Sequence, residues 1–147
     1  MICGLSTWRE HCGYARGLTW RRLQIVIGVL IAAFAVYLIF SPHLVATTLH
    51  RPAATSSQRI NLRASWGGLL LGLGGFVAWL PKLRPFHPTL LGLLVIELLV
   101  WVMAGIASAR VLGFVLDGHP DTLQWIWITA EVAIVIVGVV VLRRRRK

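Results

Sequence analysis

The chain has 147 residues, 57% of them hydrophobic and 14% charged, with a mean hydropathy of +0.76. A soluble domain carries about 25% charged residues and buries short amphipathic runs, whereas the apolar residues here stand in long blocks, so a water-soluble fold is excluded. The net charge of +10 does not indicate nucleic acid, because most Lys and Arg flank apolar blocks, where they act as topology signals and lipid-headgroup contacts.

Residues 1–22 form a polar tail. Trp8, Trp20, Arg9, Arg16, Arg21 and Arg22 suit either an in-plane interfacial helix or a disordered segment. The two cysteines, Cys3 and Cys12, lie in this tail without CxxC spacing. With His11 they would supply three metal ligands and no second pair, so ordinary reduced thiols are expected and no metal site is assigned.

Residues 23–40 are the first span, about 27 Å of helix at 1.5 Å per residue, ending near Pro42. The stretch is longer than a signal-peptide core and lacks a small-residue cleavage site after it, so it is read as retained. Residues 41–60 read as a solvated loop carrying His43, His50, Arg51 and Arg59. Residues 61–80 are the second span. It opens with Asn61 and Arg63 and then turns glycine-rich, with Gly68 and Gly72 as GxxxG and Gly75 on the same face. Small residues are what let helices approach closely in lipid. The link 81–88 contains three prolines and cannot be regular helix.

The third span, 89–116, is about 42 Å of helix, more than a bilayer needs, so it must tilt, kink or protrude. Glu97, Trp101, Ala104 and Ser108 share one of its faces. A turn at 117–121 follows, and Asp121 with Gln124 resembles a capping pair. The fourth span, 124–142, has Trp125 and Trp127 at its start and Glu131 inside it, and residues 143–147 are a basic tail. The fold class expected is therefore an all-α integral membrane four-helix bundle. Eleven of the 15 Lys and Arg fall on one side of it, which places both termini in the cytoplasm.

Ionisable residues inside spans cost about 2.5–3.5 kcal/mol each on insertion scales, so Arg63, Glu97, Arg110 and Glu131 are the candidate functional groups. Depth counting puts Arg63, Arg110 and Glu131 in one layer of the outer half. The expectation is a buried cluster of these three, with Asp117 or backbone carbonyls satisfying the second arginine. Such a cluster can be an ion-paired staple. It can also serve as an outward-facing pocket for an anionic or polar group, because the arginine fork donates two parallel hydrogen bonds. Glu97, in the inner half, is expected to be protonated or paired with a polar group. No HExxH, GxSxG, Walker A or CxxCH signature is present, so no catalytic residue is assigned.

Asn61, Arg63, Gly67, Gly68 and Gly72, the run GIASARVLGFVLDGHP that ends the third helix, and the mid-span Glu131 resemble a bacterial membrane family catalogued as domain of unknown function 4345. That resemblance implies a small four-helix membrane bundle with a DoxX-like layout in a bacterial inner membrane. It carries Arg63, Arg110 and Glu131 over as characteristic polar positions, and it implies no reaction. Small size, glycine-rich packing faces and seven tryptophans point to an accessory or stabilising subunit of a larger membrane complex. Its expected partners are membrane lipids and another membrane protein or a second copy. The alternative is a lipid- or quinone-binding protein that uses Arg63, Arg110 and Glu131, with Asn61 and Asp117 beside them. No cofactor is expected beyond such a bound lipid or quinone.

Overall fold

Proline and capping residues set where the helices start and stop. The computed structural model describes residues 6–50, 53–80 and 90–145. Helix α1 (Ser6–Phe40) includes most of the expected tail in one uninterrupted rod. It ends where Pro42 lacks an N–H for the Leu38 carbonyl; the Ser41 N–H donates to Tyr37 and Leu38 instead (3.0 and 3.3 Å). The short helix α2 (Pro42–Thr48) begins on that proline.

The 41–60 stretch is not a plain loop. It holds α2 and the start of α3 (Ser56–Leu62). Thr55 caps α3 by accepting from the Gln58 N–H at 3.3 Å, and the Gln58 side chain accepts from the Thr55 N–H at 3.2 Å. This T-x-x-Q capping box starts the second apolar helix at Ser56, ahead of the position expected at Asn61. A π-helical stretch (Arg63–Gly68) and α4 (Leu69–Trp79) follow, and the flanking residues Leu62, Arg63, Gly68 and Leu69 keep right-handed helical dihedrals. The segment Ser56–Trp79 is thus one continuous rod with a wide turn inside it.

Helix α5 (Leu90–Asp117) takes in Asp117 as its last residue, and α6 (Thr122–Arg145) follows after a turn. Gly118 and His119 both take positive φ (62° and 42°), which reverses the chain in so few residues. Among the described residues three helices are long and apolar enough to cross a membrane: Trp20–Phe40, Leu91–Asp117 and Thr122–Arg144. Cys3 and the 81–88 link with Lys82 and Arg84 lie outside the described residues, as does the Cys12 side chain.

Glycines set the spacing between rods. A Cβ on Gly68 would lie 2.6 Å from Ile106 Cα, and one on Gly72 would lie 2.6 Å from Val102 Cα. One on Gly75 would meet the Trp101 ring at 2.9 Å. All three therefore face α5, where Gly105 answers Gly68 and Gly72. A second glycine face meets α1: Gly74 abuts Ala32, Gly67 abuts Ile39, and Gly28 abuts Gly74 and Ala78. These pairings make α1, the Ser56–Trp79 rod and α5 successively antiparallel, and contacts of Arg110 with Glu131 and of Gly138 with Val100 do the same for α5 and α6. The main packing contacts among the described residues run in chain order, α1 on the rod, the rod on α5, and α5 on α6. Only 6% of the apolar window of α6 is buried.

Candidate functional site: two arginine-centred ion clusters

Arg63 opens the π-helical stretch and is buried. Its Nε donates to Asp117 Oδ2 at 2.8 Å and its Nη2 to Oδ1 at 3.4 Å. Its Nη1 donates to the Ile39 carbonyl. That carbonyl belongs to the last turn of α1, where the chain bends at Ser41 (φ −122°, ψ 61°) and the helix no longer supplies a donor. Arg63 thus caps α1 from a different helix while pairing with the end of α5. Arg59, one turn earlier on the same face, donates its Nε to Asp117 Oδ1 at 3.2 Å. Asp117 sits at the C-terminus of α5, where the helix dipole disfavours a carboxylate, and two guanidinium groups offset that cost.

The second cluster centres on Arg110. Its Nε donates to both oxygens of Glu131 at 3.2 Å, and its Nη2 donates to Oε1 at 2.8 Å. Its Nη1 donates to Gln124 Oε1. Gln124 and Glu131 lie seven residues apart, two turns along one face of α6. The Gln124 amide then donates to the Ser57 carbonyl (3.3 Å) and hydroxyl (3.2 Å). The network therefore ties α5, α6 and the start of α3 together. Arg110, Gln124 and Glu131 are all buried.

The three residues expected in a single cluster are divided between two. Arg63 holds Asp117, and Arg110 holds Glu131. The second cluster is charge-balanced; the first sets two guanidinium groups against one carboxylate and keeps one surplus positive charge. Asn61, expected beside them, is exposed, and among the described residues no hydrogen bond joins it to either cluster. Glu97 is buried in the N-terminal part of α5, away from both.

Three members were not foreseen as site residues. Arg59 precedes Arg63 by four residues, which is a same-face signal. Gln124 precedes Glu131 by seven, a same-face spacing, although next to Asp121 it reads as a capping residue. Its side chain turns inward, and only its backbone N–H meets Asp121, at the carbonyl (2.9 Å). Ser57 carried no signal before the position of α6 was known.

The sequence model of a family described as Domain of unknown function (DUF4345) matches residues 20–142. The chain belongs to the DUF4345 family. No curated protein and no solved structure matches it. The region matched to DUF4345 runs from the apolar part of α1 into the last turns of α6, so it contains every residue of both ion clusters.

Proposed function

We propose that this is a non-catalytic multi-pass protein of the bacterial cytoplasmic membrane, acting as an accessory or stabilising subunit of a larger membrane complex. The observation that carries this reading is the internal engagement of the two buried arginines, Arg63 and Arg110. Arg63 and Arg110 spend their donors on carboxylates, an amide and a helix-end carbonyl of the same chain. They fasten helices together at one end. Apolar surface for outside contact remains on every long helix, for example at Leu30 and Phe34 of α1, Leu91 and Val115 of α5, and Trp125 and Val137 of α6.

In this reading the rod Ser56–Trp79 is a fourth crossing. Its length of about 35 Å, at 1.5 Å per residue, exceeds a hydrocarbon core of about 30 Å. Four antiparallel crossings bring Arg21 and Arg22 of α1 to the same end as Arg143 and Arg144 of α6, and the positive-inside rule makes that end cytoplasmic.

Native mass spectrometry of the protein, extracted gently from its own membrane, tests the subunit role. A discrete mass increment equal to another polypeptide is expected. A chain that leaves the membrane as a monomer, carrying nothing larger than a lipid or quinone, would overturn it. The second reading, an amphiphile-binding protein, is favoured by one observation, the surplus positive charge on the Arg59, Arg63 and Asp117 cluster.

A further inference from the structure

The two clusters differ in what they leave over. Arg110 is closed on Glu131 and Gln124 and its side chain is 4% exposed, so it has nothing to offer an outside group. Arg59 is different. Its Nε is held by Asp117 Oδ1, and among the described residues no protein acceptor engages its two Nη groups. Its side chain is 37% exposed while that of Asp117 is 7% exposed. Asp117 is shared with Arg63, so it cannot neutralise both cations. One uncompensated positive charge therefore sits at the rim of a low-dielectric body, on a side chain that is partly open to the outside. Attraction to an anion is stronger there than in open water.

The depth of this rim is marked independently. Gln124 is bonded to Ser57, which puts the start of α6 level with the first turn of α3. Exposed Trp125 and Trp127 stand beside Gln124 on α6, and exposed tryptophans in membrane proteins gather at headgroup level. Arg59 lies two residues beyond Ser57, in the layer where lipid phosphates are found.

We propose that Arg59, steadied by Asp117 and Arg63, binds the phosphate of a phospholipid headgroup at the membrane surface opposite the two termini. A guanidinium fork matches two phosphate oxygens, and a full anionic charge answers the surplus cation. A quinone carbonyl would leave that charge unbalanced. This inference rests on the membrane placement above and not on the subunit role.

The test uses the full chain in lipid nanodiscs, released into native mass spectrometry with phosphatidylglycerol as the probe. Arms with Arg59→Gln, Arg59→Lys and Arg144→Gln run beside the unaltered chain. Arg59→Gln leaves the Arg63–Asp117 pair in place, and equal thermal unfolding will show that the fold survives. The expected result is one retained phosphatidylglycerol on the unaltered chain and on Arg144→Gln. Retention should fall about tenfold in Arg59→Gln, the loss of one charge-assisted contact, with Arg59→Lys between them. Equal retention in every arm overturns the site, and so does an equal loss in Arg144→Gln. If the unaltered chain retains no phosphatidylglycerol but binds millimolar inorganic phosphate in a way that Arg59→Gln abolishes, a free anion and not a headgroup is the occupant, and the lipid proposal fails. A chain that does not enter nanodiscs refutes the membrane reading itself, whereas entry without retention refutes this site alone.

Discussion

Replacing Arg110 by Leu should destabilise the helices far more than removing one surface ion pair would. The substitution deletes three bonds to Glu131 and one to Gln124, and it leaves a carboxylate with its side chain 8% exposed. Breaking a buried pair from one side costs about 3–5 kcal/mol. The low end, about 3 kcal/mol, is expected here, because helices separated within lipid find other polar partners. Glu131→Leu should cost a similar amount, since Arg110 then keeps only a neutral amide. Replacing both by Leu removes the stranded charge, so the double variant should cost no more than either single change. The coupling is then about 3 kcal/mol, the top of the range for contacting residues. Detergent-induced unfolding in bicelles, followed by tryptophan fluorescence, measures all three. If the double variant equals the sum of the singles, or if each single costs under about 1 kcal/mol, the staple is not what holds α5 and α6.

Other consequences can be checked with the same unfolding measurement. Gly72→Ala puts a methyl against the Trp101 carbonyl and 2.6 Å from Val102 Cα, so α4 and α5 must separate by about an ångström, at about 1–3 kcal/mol or more; Gly92→Ala, with nothing within 4 Å, should be neutral or slightly stabilising. A π-helical turn holds one residue more than the α-helix it interrupts, so deleting the exposed Ser65 should let Arg63–Gly68 close into α-helix with both flanks in register, whereas deleting Leu73 rotates Gly74 and Gly75 off their partners and should unfold the chain. The proposed orientation, with both termini cytoplasmic, predicts that an impermeant maleimide labels Cys3 or Cys12 in inside-out vesicles and leaves both unlabelled in intact cells; the reverse pattern would refute it.

Much of the layout was legible from local chemistry. Apolar block lengths located Trp20–Phe40, Leu91–Asp117 and Thr122–Arg144 to within a few residues, because a bilayer span needs a fixed run of apolar side chains. The face formed by Gly68, Gly72 and Gly75 was readable from helical spacing, and it does meet α5. The capping box at Thr55 and Gln58 was equally available in the residues, but the Ala-, Thr- and Ser-rich composition of 41–60 masked it.

What sequence alone determined is the set of groups that must find partners: four ionisable residues and a row of glycines inside apolar helices, each too costly or too small to face lipid without reason. Only the tertiary structure decided which partner each one takes. Helical periodicity names a face but not the helix opposite it or its vertical register. The Gly67 and Gly74 face against α1, the inward turn of Gln124, and the assignment of Arg63 to Asp117 and Arg110 to Glu131 therefore became visible only with the rods in place. The surplus charge at Arg59 belongs to the same class. It follows from how two carboxylates are divided among three guanidinium groups, and that division is settled by distances between helices that the linear order of residues does not contain.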